Sequence, residues 1–398
     1  MIENLRRFAK GILSQSILSS QPRKHGHDHQ RKVTSTRTCE AFADAIDNLV
    51  RDFEAWCAQR EDAISRAAAG VDEEPLVVSL LDTEKAIRDA YEDTFDVLIQ
   101  VIQSTFRVPP RGNFASFEVE GRQSPAALTA LLLDTLFSRL QRHMERQDRV
   151  TSGNLMRVFV RTAEPIWAMM GRWLQDGMGA GLSVGSGGLA TMGQELDDEF
   201  FIESSGVGVG VMSFGLLDPD FWKEGYSLRE EDYGPSEATG VPIFLQHIAS
   251  LVLGAGKAVG LIRALGIAST ASLAWKSFEE LTTQEHGADG HQKATGLFSV
   301  SVDTLSRVVY DELLPYCHQT GSQLIRVLEE DCDLWRHLNS LENLYLMRRG
   351  DTMTQFLDVV FAKVRYYALL LLIRVIILLP DGLSAILGRL PFPQHGIQ

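Results

Sequence analysis

Cysteine is scarce in this chain of 398 residues, which contains only four: Cys39, Cys57, Cys317 and Cys332. No two of them are spaced as a CxxC pair, and four cysteines in a chain of this length do not make a disulfide framework. We therefore expect four reduced thiols in a cytosolic protein.

An excess of positive charge is also lacking, because 38 lysines and arginines are outnumbered by 52 aspartates and glutamates, for a formal net charge of −14. A protein that mainly holds DNA or RNA needs a basic surface that displaces counterions from the phosphates. The overall charge balance therefore argues against nucleic acid as the main partner. Apolar residues make up 45% of the chain. That share is enough for a sizeable core, in two domains or in one large elongated one.

Motifs typical of enzymes are scarce as well: there is no HExxH and no catalytic-cysteine signature. The segment GAGK (254–257) comes nearest to a phosphate-binding loop. However, Leu251 stands at the position of the first glycine and Ala258 at that of the metal-binding hydroxyl. The run GVGVGVMSFG (206–215) fails the dinucleotide-binding pattern GxGxxG in every frame. We therefore predict no enzymatic activity, no cofactor and no small-molecule substrate.

Two polar clusters have a simpler interpretation than a functional site. His25, His27 and His29 alternate in a basic stretch without cysteines or carboxylates at metal-site spacing, so a solvated linker is favoured over a metal site. The acidic group LDDEFFIE (196–203) could supply paired carboxylates for acid–base chemistry. A charge run of this kind is usually a solvated face, and that is the interpretation we prefer.

Apolar residues recur at steps of three and four over most of the chain, which is the spacing of one face of an α-helix. Few stretches alternate with a period of two. The predicted fold class is therefore all-α: an elongated stack of antiparallel helical bundles with long glycine-rich loops at 177–215. Residues that mark the apolar faces of the first helices are Leu5, Phe8, Ile12, Phe42, Ile46, Leu49, Phe95, Leu98 and Ile102.

Local signals refine this picture at four places. An amphipathic helix is expected at the N-terminus, where a mitochondrial presequence is the alternative. Ser124-Pro125 is a typical helix start, with a capping serine and proline at the first helical position. Pro315 is expected to kink or interrupt its helix. The segment PDFWKEGYSLR (219–229) is expected to be a packed loop or short helix anchored by Phe221 and Trp222.

The segment YYALLLLIRVIILL (366–379) is apolar on all faces except at Arg374. It has about 14 residues, fewer than the roughly 20 needed to cross a bilayer. A helical tether or adaptor with a membrane-associating C-terminal tail is therefore the alternative to a scaffold inside a protein assembly.

Three blocks stand out by their order: DEFFIE (198–203) with DPDFWKEGYSLR (218–229), VPIFLQHIASLVLGAGKAVGLIRALG (241–266), and LEEDCDLWRHLNSLENLYLMRRGDTMTQFLDVVF (328–361). In this order they resemble the gamma-tubulin complex component family, which includes spindle pole body components. The resemblance leans toward the divergent fifth and sixth subunit types. The positions that match the family patterns are Phe200, Phe201, Phe221, Trp222, Phe244, Leu245, Gly256, Lys257, Leu338, Leu341, Gly350, Asp351 and Phe356.

The resemblance implies a structural subunit that supports microtubule nucleation at the microtubule-organising centre or spindle pole body. Its implied partners are other gamma-tubulin complex components, through lateral helical contacts, and gamma-tubulin, through a C-terminal domain. The match stops near Val364, so we expect a truncated product that lacks most of that domain. The corresponding domains are an N-terminal helix with a polar linker (1–37), a lateral-contact domain (38–283), a linker (284–296), the start of the gamma-tubulin-binding domain (297–363) and an apolar tail without family counterpart (364–398).

Overall fold

The structure is a computed structural model. It describes residues 1–19, 36–69, 79–106, 124–177, 182–184, 190–192, 197–205, 223–229, 240–265, 267, 275–284, 302–346, 348 and 350–378. The chain divides into two compact units, Met1–Leu324 and Ile325–Gln398. Within the described residues nearly all regular structure is helical, so the all-α prediction is confirmed.

The helices of the described part are α1 (Ile2–Ser19), α2 (Arg37–Ala68), α3 (Leu80–Ile87), α4 (Asp93–Thr105), α5 (Pro125–Glu145), α6 (Arg149–Asp176), α7 (Gln246–Ala264), α8 (Phe278–Gln284), α9 (Val302–Glu330), α10 (Leu334–Tyr345) and α11 (Gly350–Leu378). A π-helical turn, Arg88–Glu92, joins α3 to α4, and a 3-10 turn, Ile243–Leu245, precedes α7. The short strands are β1 (Leu182–Val184), β2 (Ala190–Met192), β3 (Ile202–Ser204) and β4 (Tyr226–Leu228).

Several helices begin at a side chain that caps them. The side-chain oxygens of Thr36, Ser79, Ser124 and Asp148 each accept a hydrogen bond of 3.1 Å from the backbone N–H three residues further on. Such a cap satisfies one of the unpaired N–H groups of the first turn and stabilises a helix by about 1 kcal/mol. The helix start predicted at Ser124 is therefore confirmed.

Helix α6 lies at the centre of the first unit and packs against α2, α5, α7 and α8. The apolar face predicted for the N-terminal helix is confirmed as well, because Leu5, Phe8 and Ile12 of α1 are fully or almost fully buried. The ring of Phe8 lies 6.0 Å from that of Phe42 in α2 and 5.1 Å from that of Phe106 beyond α4. Helix α1 therefore belongs to the same core as α2 and α4.

Two expectations need correction. The segment 219–229 is not only loop or short helix, since residues 226–228 form β4 and pair antiparallel with β3 in the acidic segment, with Ile202 opposite Leu228. Phe221 and Trp222 lie outside the described residues. Of the two outcomes expected at Pro315, the interruption does not occur, because α9 runs from Val302 to Glu330 with the proline inside; the kink stays a prediction. In the glycine-rich stretch, β1 and β2 form an antiparallel pair, and most of the residues around them are not described.

Among the described residues one helical segment, Ile243–Arg263, is long and apolar enough to cross a membrane. Length and composition are weak indications on their own, because the core helix of a soluble protein meets the same criteria. Just over half of this segment, 56%, is buried. Its helix α7 packs against α6 in the core of the first unit, which is the behaviour of a core helix.

Candidate functional site

The residues of the first two family-like blocks meet around Trp173, a buried residue near the end of α6. Its ring centroid lies 6.3 Å from that of Phe200 and 5.4 Å from that of Tyr226 in β4. The indole Nε1–H donates a hydrogen bond of 2.9 Å to the carbonyl oxygen of Val252 in α7. We call this set, with Gly256 of α7, the Trp173 junction. It joins α6, α7 and the β3–β4 pair.

Gly256 is required at this junction because the helices approach so closely. A Cβ atom at position 256 would overlap the indole ring of Trp173. Gly177, which ends α6 with a φ of 68°, is needed for two reasons. Its backbone conformation favours glycine, and a Cβ there would lie 2.8 Å from the carbonyl oxygen of Gly256. Gly256 and Gly177 therefore serve helix packing.

The segment GAGK lies in the interior of α7, not in a loop after a strand. Backbone N–H groups inside a helix are already bonded within the helix, so they cannot surround a phosphate. Lys257 Nζ donates a hydrogen bond of 3.1 Å to the carbonyl oxygen of Lys223, next to β4. Burial lowers the pKa of Lys257. The geometry thus gives this lysine a tethering contact between α7 and the strand pair.

The acidic segment that we expected to be a solvated face is, at two positions, a connector between helices. Glu199 is buried and accepts hydrogen bonds from the backbone N–H of Arg37, and from the N–H and hydroxyl of Thr38 at 3.2 and 3.1 Å. Burial raises the pKa of Glu199, and these hydrogen bonds act in the opposite direction. Asp197 accepts from Arg172 at 2.7 Å and from Arg37 at 3.3 Å. The segment therefore ties the start of α2 to the end of α6.

Phe244 and Leu245, two further family-matching residues, are buried in the turn before α7. The ring centroid of Phe244 lies 5.4 Å from that of Phe159 in α6 and 6.2 Å from that of Phe278 in α8. Aromatic rings at this spacing form favourable contacts beyond their burial. These two residues therefore fix the start of α7 against the central helix.

Two more carboxylates act as Glu199 does. Asp134 of α5 accepts a hydrogen bond of 2.8 Å from the N–H of Ile243, and Glu164 of α6 accepts one of 2.8 Å from the N–H of Phe278. Burial raises the pKa of Asp134 to about 6 and also raises that of Glu164. Each carboxylate comes from a distant part of the chain and accepts from the start of another helix or turn. We call Glu199, Asp134 and Glu164 the carboxylate caps.

Sequence reasoning missed the caps at Asp134 and Glu164, although one signal was available. Asp134 interrupts the apolar run ALLLDTLF (130–137), where an acidic side chain needs a partner if the helix is buried. The partner itself could not be found from the sequence, because it lies 109 residues away.

These three carboxylates do not form a catalytic arrangement, because each accepts hydrogen bonds from backbone N–H groups inside a packed helical body. No group of three or more His, Cys, Asp and Glu side chains close enough to hold a metal occurs among the described residues. His25, His27 and His29 lie outside them. A cavity of about 90 Å³ between α2 and α6 is lined in part by Asp52, Arg157 and Arg161. Arg157 and Asp52 form an ion pair of 3.1 Å there, not a set of converging acid–base groups.

The third family-like block lies in the second unit and differs from the first two in its exposure. Leu338 and Leu341 of α10 and Phe356 of α11 are 44–49% exposed. Gly350 and Asp351 are the first two residues of α11, and a Cβ at Gly350 would meet no atom within 4 Å. The structure thus brings the described family-matching residues of the first unit together in a core and presents those of the third block at the surface of their own unit.

Comparison with known proteins agrees with the resemblance. The family described as "Gamma tubulin complex component N-terminal" matches residues 3–333, which contain the Trp173 junction and all three carboxylate caps. No curated protein shows significant similarity to the chain. The match extends past the linker predicted at 284–296, nearly all of which lies outside the described residues, and the domain boundaries stay predictions. Because the match covers most of its length, the chain belongs to the gamma tubulin complex component family.

Proposed function

We propose that the chain is a structural subunit of the gamma-tubulin complex that supports microtubule nucleation at the microtubule-organising centre or spindle pole body. The observation that supports this most is the family match over residues 3–333, which coincides with the helical body built around α6. Its site of action is the cytoskeleton within the cytoplasm, and it contributes shape and contacts instead of catalysis.

The physical basis for a scaffold is the way the helices of unit 1 are fixed to one another. A nucleating template must hold its subunits at constant spacing, so each subunit must resist bending. The hydrogen bonds of the Trp173 junction and of the carboxylate caps join residues that are 79 to 162 positions apart in the sequence. Close packing of this kind transmits force with little deformation. Residues 38–283 are the part that we propose to contact neighbouring gamma-tubulin complex components laterally. Residues 297–363 begin the part that faces gamma-tubulin.

Co-purification tests this proposal. The tagged chain is expressed in cells of its source, captured, and analysed for gamma-tubulin and other complex components. Gly256→Leu and Gly254→Leu form a matched pair, since both lie in α7 but only position 256 faces Trp173, while a Cβ at 254 meets no atom within 4 Å. We expect the parent and G254L to recover the complex and G256L to recover at least about tenfold less, because overpacking disrupts the core.

Recovery of the folded parent without gamma-tubulin or any other component would overturn the proposal. Equal recovery by G256L and the parent would show that the fold of the helical body is not what the complex binds, and would count against it as well. Circular dichroism of the three purified chains gives the control for helix content.

A further inference from the structure

Three arginines lie on one face at the end of α5. Arg139, Arg142 and Arg146 follow one another at steps of three and four residues, which is the spacing of neighbours on a helix surface. Arg142 and Arg146 are exposed and Arg139 is half-buried. None of the three forms an ion pair with another described residue. We call them the arginine row, a local excess of positive charge in a chain whose net charge is −14.

Three aspartates form the opposite pattern on α4 and the π-helical turn before it. Asp89, Asp93 and Asp96 are all exposed and follow one another at steps of four and three residues. None of them forms an ion pair with another described residue, although the neighbouring Glu92 pairs with Arg88 at 3.0 Å. We call these three the aspartate row.

The two rows match when the helices that carry them run antiparallel. In that direction, the steps of four and three along the aspartate row coincide with those along the arginine row read backwards. Each row spans about 10 Å at the helical rise per residue. The register also sets Glu92 opposite His143 and opposes no charges of like sign along the rows. The three opposed pairs are Asp89 with Arg146, Asp93 with Arg142, and Asp96 with Arg139.

Within one chain the two rows lie at the same end of unit 1. Asn154, near the start of α6, donates hydrogen bonds of 3.4 Å to the carbonyl oxygen of Ala90 and the hydroxyl of Thr94, so α4 begins beside the start of α6. Helix α5 ends there too, because only a short turn separates it from α6. Since α4 and α5 are in contact, they run antiparallel with the two rows at the same height on neighbouring helices.

We propose that two copies of this chain pair around a two-fold axis, with the aspartate row of each copy against the arginine row of the other. A two-fold axis parallel to α4 and α5 places each α4 on the α5 of the other copy, antiparallel and at the same height, so both contacts form at once. Such an isologous contact joins two chains and then closes. It names a surface and a partner for the contacts proposed for residues 38–283, and it therefore rests on the proposed function.

Charge complementarity selects a second copy as the partner. Arginines near the end of a helix are favourable for the helix itself, so the arginine row alone would indicate no partner. The same chain, however, supplies carboxylates at the matching spacing and brings them to the same height. Complementary charges of this kind determine specificity and register more than affinity.

The pair is expected to be weak and sensitive to salt. Exposed ion pairs contribute little each, and salt screens them. We expect a Kd of about 10–100 µM for the parent at about 50 mM salt, and a Kd at least about tenfold higher at about 500 mM.

Two charge reversals at the centre of the rows test the pairing by sedimentation velocity of the full chain. Arg142→Glu sets a glutamate against Asp93 of the other copy, and Asp93→Arg sets an arginine against Arg142. Because like charges then oppose each other twice, each change alone should raise the Kd at least about tenfold. Arg161→Glu is the matched control, since Arg161 is also exposed and without an ion pair among the described residues but lies on α6, outside the rows. It should leave the Kd unchanged within about threefold.

Mixing the two row variants separates pairing between chains from any change inside one chain. In a mixed pair, the two substituted residues face each other at one contact and the native residues face each other at the second. An equimolar mixture of R142E and D93R should therefore form dimers with a Kd within about threefold of that of the parent. Neither a misfolded variant nor an ion pair inside one chain gives this result.

Four outcomes would each overturn the proposal: a parent that stays monomeric at about 100 µM and low salt, a dimer that salt does not weaken, equal effects of R142E and R161E, or a mixture that pairs no better than its components. Co-purification separates this failure from a failure of the proposed function. A monomeric parent that still recovers gamma-tubulin and other components would exclude a second copy as the partner and leave the scaffold role standing.

Discussion

Replacing Gly256 by alanine should destabilise the protein, whereas the same change at Gly254 should stabilise it. Both glycines lie in the interior of α7, two residues apart. Glycine in a helix interior is less favourable than alanine by about 0.5–1 kcal/mol, because it loses more backbone freedom on folding. Without tertiary contacts, both substitutions would therefore raise the free energy of unfolding by that amount.

Tertiary contact reverses the sign of the expected change in the free energy of unfolding, and it does so at position 256 only. A Cβ there overlaps the indole of Trp173, while one at Gly254 meets no atom within 4 Å. Moving the indole away strains or breaks its hydrogen bond to Val252. Overpacking costs about 1–3 kcal/mol, and leaving a buried donor unpaired costs about the same. After the helix gain is subtracted, we expect G256A to lose about 1–3 kcal/mol and the two variants to differ by about 2–4 kcal/mol.

Urea unfolding followed by far-UV circular dichroism measures these differences for helix-rich unit 1. A double-mutant cycle adds a sharper criterion: in a Trp173→Leu background, G256A should lose most of its effect, with a coupling above about 1 kcal/mol, while G254A should remain additive. If G256A stabilised the chain as much as G254A does, α6 and α7 would not be in contact at Trp173, and the account of the junction would be wrong.

Three further predictions concern buried titratable groups. Asp134→Asn removes a carboxyl whose folded-state pKa is raised to about 6. Its contribution to stability is full below about pH 4 and is lost as pH rises through 6, so the stability of D134N relative to the parent should rise by about 1–3 kcal/mol between pH 4.5 and 7.5. Glu199→Ala should lose about 2–4 kcal/mol and Glu199→Gln less, because alanine leaves two backbone N–H groups and a hydroxyl without their acceptor. Burial raises the pKa of Cys39 to about 12 and that of Cys317 to about 11, so Ellman's reagent should modify these two thiols only after unfolding and the other two in the native chain.

Each of these predictions has an outcome that contradicts it. A stability difference between D134N and the parent that does not change with pH would mean that the carboxyl at 134 is not buried in the folded state. Urea midpoints of E199A equal to those of the parent would mean that Glu199 does not cap α2. Rapid reaction of all four thiols in the native chain would mean that α2 and α9 do not bury their cysteines.

The helices could be predicted from the sequence because the signals that specify them are local. The stripe from Leu5 to Ile12 and the capping pair Ser124-Pro125 lie within one or two turns of chain, and the structure has both as predicted. Pro315 shows the limit of this reasoning. A proline removes one hydrogen bond and disfavours a continuous helix. Packing of Leu313 and Cys317 on either side of it offsets that loss in α9.

The contacts between helices could not be predicted, because they depend on residues that are far apart in the sequence. The acidic segment at Asp197 and Glu199 has the composition of a solvated face, and only the position of α2 turns it into a cap. Strand β4 escaped prediction for the same reason. Residues 226–228 are too few to show a period of two, and their pairing with β3 is what makes them a strand.

The segment GAGK is an example of a short sequence that resembles a catalytic motif and still belongs to a scaffold protein. A phosphate loop uses glycines so that backbone N–H groups can approach a ligand. In α7, Gly256 lets a whole helix approach Trp173, and Lys257 bonds a carbonyl instead of a phosphate. The same property of glycine, the absence of a side chain, thus serves packing in place of chemistry. The described family-matching residues of the first unit act only by fixing the positions of helices. A subunit whose role is to hold a fixed shape needs residues of this kind.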